Sequence, residues 1–248
     1  MHSQSLASDN QKAMVAVVDY GQGNLFSVQQ ACEHVGLRVN ITNNAQEIFS
    51  ADAVILPGVG AFGDAMDGLE QKDLIGPLQE VAASRTPLLG ICLGMQLLMS
   101  ESEEFGNHKG LGIIEGAVVR FDAAKVGSPV VKVPQVGWNQ IQSNSIVSNQ
   151  EISQNRWNDP LLKGLANNEY MYFVHSYYAK PTNSQVVIST TTYGDVEFCS
   201  SLRLDSVFAC QFHPERSGPV GLKIYQNLAS LLENTRTGMS KPIKDDST

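Results

Sequence analysis

Three short apolar runs constrain the fold of this chain more than any other feature. Residues 13–19 (AMVAVVD), 53–56 (AVIL) and 87–91 (PLLGI) are almost free of polar side chains. Runs of that length are too short for buried helices and read as strands covered on both faces. Between them, residues 24–35 carry Val28, Ala31, Cys32 and Val35 at helical spacing before a stop at Gly36. Residues 38–42 read as a second strand, 73–84 as a helix, and 93–101 as a helix starting directly after Cys92. A strand that returns parallel to its predecessor must cross over a sheet face, so this alternation predicts a parallel sheet with helices on both sides.

The second half changes character. Strands are expected over 116–121, 130–133, 170–178, 186–192, 197–204 and 207–212, several in hairpins, with a closing amphipathic helix over 221–233. The Asn-, Ser- and Gln-rich stretch 143–158 reads as a loop or surface insertion. The expected architecture is one α/β domain over 13–233. It has a central, mostly parallel mixed sheet, helices on both faces and an antiparallel edge. A polar, disordered leader (1–12) and tail (234–248) flank it.

Composition narrows the function. The net charge is −8 without a basic cluster, which argues against nucleic acid or an anionic membrane as the main partner. No apolar run approaches the roughly 20 residues that span a bilayer. The four cysteines, Cys32, Cys92, Cys199 and Cys210, are widely spaced and form no CxxC pair. That fits neither a zinc site nor a disulfide framework, and points to the reducing cytoplasm. Gly21-Gln22-Gly23 resembles half of a dinucleotide fingerprint, but the third glycine position is Phe26. No cofactor and no metal are expected.

The pentapeptide Gly90-Ile91-Cys92-Leu93-Gly94 places a nucleophile between glycines where a buried strand gives way to a helix. So tight a turn leaves no room for Cβ atoms at its flanks and lifts the central side chain out of the sheet edge. The other three cysteines lie in apolar or strand-like segments and read as small buried hydrophobes. A cysteine nucleophile needs a base and a group that orients it. Gln211-Phe212-His213-Pro214-Glu215 supplies both, since residues two apart in extended chain face the same side. His213 is the expected base and acid, with Glu215 steadying it. His2, His34 and His108 read as structural or solvent-facing. His175 is a rival base, ranked second because no carboxylate stands at a short offset, and is assigned to the pocket wall. Oxyanion donors are expected from the backbone of Pro57-Gly58-Val59-Gly60 and from the N–H of Leu93.

Taken with Asp19-Tyr20-Gly21-Gln22-Gly23-Asn24, Leu56-Pro57-Gly58-Val59-Gly60-Ala61-Phe62, Gly137-Trp138-Asn139 and Tyr172-Phe173-Val174-His175-Ser176-Tyr177-Tyr178, these blocks resemble the triad-type glutamine amidotransferases. Within them, the resemblance is to the glutaminase subunits of imidazole glycerol phosphate synthase. It implies a triad of Cys92, His213 and Glu215, with oxyanion donors at Val59 and Leu93. It puts glutamine near Gly58, Gln96, Glu104 and the Ser176–Tyr177 backbone, beside His175. It further implies a heterodimer with a (β/α)₈-barrel cyclase of histidine biosynthesis, contacted through Asn24, Trp138 and Arg216. Two positions depart from the family pattern: Gln135 stands where histidine is usual, and Arg216 where lysine is usual. A paralogue supplying ammonia for amidation or amidino-group formation on a cell-surface sugar would share the motifs. So would a free-standing cysteine hydrolase, which activity on peptides or esters without a partner would reveal. A degenerate, binding-only subunit would have lost the triad.

Overall fold

The computed structural model describes residues 12–121, 132–143, 157 and 159–239. The expected leader (Lys12 apart), residues 130–131, most of 143–158 and the tail beyond 239 lie outside the described residues.

The first half runs β1 (Met14–Val18), α1 (Leu25–His34), β2 (Arg38–Thr42), α2 (Ala45–Ser50), β3 (Ala53–Gly58), α3 (Phe62–Gln71), α4 (Ile75–Ala83), β4 (Leu88–Cys92) and α5 (Leu93–Leu97). The second half runs β5 (Met99–Ser102), β6 (His108–Lys109), β7 (Ile114–Arg120), β8 (Gln135–Ser143), β9 (Glu169–His175), β10 (Tyr177–Pro181), β11 (Val187–Tyr193), β12 (Val196–Leu204), β13 (Val207–Cys210) and α6 (Gly218–Met239).

The large sheet has the order β2-β1-β3-β4-β13-β12-β11-β8-β9. Its β2-to-β13 half is parallel, and from β13 to β9 the neighbours are antiparallel, so the antiparallel part is wider than an edge. The apolar runs are continuous because alternate residues serve two cores. Val15, Val17, Ile55 and Ile91 pack with Val28 and Cys32 of α1 and Tyr225 and Leu228 of α6. Ala16, Val18, Val54 and Leu56 pack on the other face with Ile48 of α2, Phe62 and Leu69 of α3 and Leu78 of α4. Asn24 starts α1 by accepting the Ser27 N–H at 3.3 Å.

Elsewhere the chain departs from expectation. The helix expected over 93–101 ends at Leu97, and Met99–Ser102 is a strand of a second, four-stranded sheet, β10-β7-β5-β6. The cause is a returning backbone. The N–H groups of Gly110, Leu111, Gly112 and Ile114 bond the carbonyls of Ser100, Leu97, Met99 and Leu98, which a longer helix would have kept for itself. The strand expected near 130–133 begins at Gln135. The single strand expected over 170–178 is two, because the chain passes from the large sheet to the small one at Ser176. The strand expected over 207–212 stops at Cys210, and the closing helix runs past 233 to Met239. Helices α2 and α3 had no counterpart in the pattern reading.

Candidate active site

Cys92 ends β4 in register with Gly58, the last residue of β3, and α5 starts at the next residue. Its φ of 55° and ψ of −109° are strained for a residue with a side chain, as a nucleophile elbow requires. Gly94 explains why the turn can exist: a Cβ there would overlap the Leu56 carbonyl oxygen of β3. Gly58 is equally confined, between the Tyr20 hydroxyl and Leu93. Tyr20 also donates to the Pro57 carbonyl at 2.8 Å, pinning the loop that follows β3; sequence reasoning gave it no role.

The second component arrives on β13. Cys210 pairs with Ile91, so the chain leaves the sheet beside the elbow. The His213 N–H bonds the Tyr172 carbonyl at 2.9 Å, and the Ser217 hydroxyl donates to the His213 carbonyl at 2.6 Å, which fixes the backbone under the ring. His213 Nδ1 and Glu215 Oε1 are 2.8 Å apart, and both side chains are buried. The pairing is not made by strand alternation as expected: His213 is extended, but Glu215 lies in the 3₁₀ turn Pro214–Arg216, which swings its carboxylate back onto the ring.

His213 Nε2 is buried without an aligned hydrogen-bond partner, yet the Cys92 sulfur acts on the ring as a charge and through a loose side-chain contact. Hydrogen bonds of this kind commonly tighten only when substrate binds. Burial works against the charged imidazole. The Cys92 thiolate, and after it Glu215, outweigh burial and raise its pKa from 6.5 to about 10. The folded value lies above the ordinary one. The imidazolium therefore contributes its full stability below about pH 6.5 and loses it as the pH climbs towards 10. In Cys92→Ala the strongest raising group is gone, so the His213 midpoint followed by ring-proton NMR is expected to fall. An unchanged midpoint would mean that the sulfur does not act on the ring.

His175 is placed differently. Its Nδ1 donates to the Tyr177 carbonyl at 2.8 Å, since a carbonyl can only accept. Burial first, and the nearby charge of His213, lower its pKa to about 4 despite that bond, so the ring is neutral. A neutral ring tied to the Tyr177 backbone is poorly placed to act as a base. Gln96, buried on α5, donates to the Tyr177 carbonyl at 2.9 Å and to Gln211 Oε1 at 3.0 Å. Gln211 in turn donates to the Cys92 sulfur at 3.6 Å, a contact the sequence did not reveal. The Ser176 carbonyl accepts the Phe121 N–H at 3.0 Å. Glu104 faces the start of α3, where it accepts the Phe62 N–H at 2.7 Å; burial raises its pKa against that bond and the charge of His108. Val59, just past Gly58, is 42% exposed.

Of the three residues assigned to a partner face, the structure joins two. The Arg216 guanidinium lies 4.8 Å over the Tyr172 ring, and Tyr172 stands edge-on to Trp138 at 6.1 Å. Asn24 is engaged as the cap of α1. Among the described residues no three His, Cys, Asp or Glu side chains gather as a metal site would require, and no helix is long and apolar enough to cross a membrane.

A strained cysteine at a strand–helix elbow, beside a histidine–glutamate pair in a doubly covered sheet, is the arrangement of a thiol-dependent amide hydrolase. The family pattern of the class-I glutamine amidotransferases matches residues 16–229, and the chain belongs to that family. Its curated relatives are more particular. It is 45% identical over 220 residues, covering 88% of this chain and 100% of the relative, to the imidazole glycerol phosphate synthase subunit HisH of Syntrophotalea carbinolica. It is 44% identical over 222 residues, 89% of this chain and 96% of the relative, to the subunit of the same name from Moorella thermoacetica. Among solved structures, PurLQS from Thermotoga maritima superposes with a TM-score of 0.68 over 90% of this chain and 100% of that one. At 17% identity that likeness speaks for the fold alone.

Proposed function

We propose that this chain is the glutaminase subunit of an imidazole glycerol phosphate synthase, hydrolysing glutamine and passing ammonia to a (β/α)₈-barrel cyclase in histidine biosynthesis. The carrying observation is the Cys92, His213 and Glu215 constellation at the elbow, in a chain 45% identical to a HisH subunit over that subunit's whole length. Four free, buried cysteines suit the cytoplasm as the place of action.

In the proposed cycle the Cys92 thiolate attacks the side-chain amide carbon of glutamine, forming an S–C bond. Backbone N–H groups of Leu93 and Val59, beside Gly58, hold the oxyanion. His213, protonated and steadied by Glu215, gives its proton to the leaving nitrogen; the C–N bond breaks and ammonia departs. The imidazole then takes a proton from water, which cleaves the thioester to glutamate and returns the thiolate. Substrate recognition falls to Gln96, Glu104 and the Ser176–Tyr177 backbone, with neutral His175 as wall. Both Gln96 N–H groups are already donated within the protein, so it can offer a ligand only its oxygen.

Trp138, Tyr172 and Arg216 form the proposed docking face, with Asn24 near its rim. Trp138 is 55% exposed although large and apolar, as a hot-spot anchor would be before its partner arrives. Trp138→Ala is expected to weaken cyclase binding by about 10-fold or more, read by calorimetry. Unchanged affinity would move the interface elsewhere. Adding the cyclase should raise glutamate release by about 100-fold, the worth of one oxyanion donor completed on docking. Full glutaminase activity without a partner would refute the subunit reading.

A further inference from the structure

The chain of amides behind the nucleophile has a fixed polarity, and its origin is a backbone group. The Tyr177 carbonyl can only accept, so Gln96 must turn its nitrogen towards it, at 2.9 Å. The same nitrogen then meets Gln211 at 3.0 Å, so Gln211 must present its oxygen there. That leaves the Gln211 nitrogen facing the Cys92 sulfur at 3.6 Å. The order of donors cannot be reversed without setting oxygen against oxygen. Gln211 is fully buried and Gln96 is 5% exposed, so solvent does not compete for these groups. Each donation polarises the next amide, which strengthens the last one, onto the sulfur.

We propose that Gln211 is a positioning residue for the nucleophile: its amide N–H, oriented through Gln96 by the Tyr177 carbonyl, holds and stabilises the Cys92 thiolate. This rests on Cys92 being the nucleophile, as argued above, and adds a second donor to the His213 imidazolium. The helix behind the sulfur is only five residues long, so its end contributes little, whereas the Gln211 amide reaches the sulfur directly. The donation is strongest when the sulfur carries full charge. It therefore favours the thiolate before attack and again when the thioester opens.

The test is the pH dependence of alkylation at Cys92 by iodoacetamide, read by peptide mass spectrometry on the full chain with and without its cyclase. Gln211→Met removes the donor at similar volume, and its midpoint is expected about one pH unit above wild type. Gln211→Glu keeps the shape but sets a carboxylate against the thiolate, so its midpoint should lie higher still. Gln96→Leu frees Gln211 to turn and should shift the midpoint upward by less. A merely structural role would change maximal rates and leave the midpoints alone. A Gln211→Met midpoint coinciding with wild type overturns the proposal, because the Gln211→Glu shift alone would follow from its added charge. Should Gln211→Met not fold, Gln96→Leu decides, and a midpoint coinciding with wild type then overturns the proposal. Glutamine hydrolysis surviving in Cys92→Ala would instead refute the nucleophile reading, whatever the Gln211 variants show.

Discussion

In Cys92→Ala, glutamine-dependent synthesis by the assembled enzyme is expected to fall by about 10⁴-fold or more, while synthesis fed with ammonium salts continues unchanged. The size follows from removing the sulfur proposed to form the covalent intermediate. What remains is binding and oxyanion stabilisation, which act on a reaction with no nucleophile. The folded protein should tolerate the change, because Cys92 is a small side chain whose strained backbone is held by its neighbours: Gly94 under Leu56 and Gly58 against Leu93. Survival of ammonia-dependent synthesis separates a chemical defect from a failure to assemble. Loss of both activities would count against the role given to the sulfur.

Gly94→Ala is expected to cost about 3 kcal/mol of stability, and the glutaminase rate of whatever folds should drop by about 100-fold. The added methyl would occupy the place of the Leu56 carbonyl oxygen. Leu56 lies in β3, paired with Gly90 of β4 and buried on both faces, so neither side can yield without moving the elbow. Movement of the elbow shifts the sulfur relative to His213, and displacement of about 1 Å is enough to forfeit most of the rate. Gly76→Ala is the control. It sits in α4 with open space around it, and alanine there should be neutral or stabilising by about 0.5 kcal/mol. Denaturant unfolding of the two variants reads the difference. Equal stability would show that the elbow has slack the structure does not.

The parallel half of the sheet was legible because burial on both faces writes itself as uninterrupted apolar sequence, and the crossover rule leaves few ways to connect such runs. The elbow was legible for a related reason: glycines two residues to either side of Cys92 are demanded by backbone contact, which leaves a local trace. What was hidden depends on partners far away in the chain. No local pattern in residues 98–101 announces that Gly110 to Ile114 will take their carbonyls. Strand β8 carries polar side chains at most positions, and only Gln135 and Ile141 are buried, so its period is faint. The carboxylate of Glu215 reaches His213 through a turn rather than along a strand, so the expected neighbours were right and the expected geometry was not. Gln211 was visible as a residue of the motif but not as a donor. Its aim at the sulfur follows from β13 lying beside β4 and from a tyrosine carbonyl contributed by another strand.

The most direct test is to quench the cyclase-bound enzyme during turnover of glutamine and weigh its peptides. One γ-glutamyl group, joined through sulfur, is expected on the peptide that carries Cys92, and none in Cys92→Ala. A γ-glutamyl group on any other residue, or glutamate released with no acyl-enzyme at any time of quenching, would contradict it.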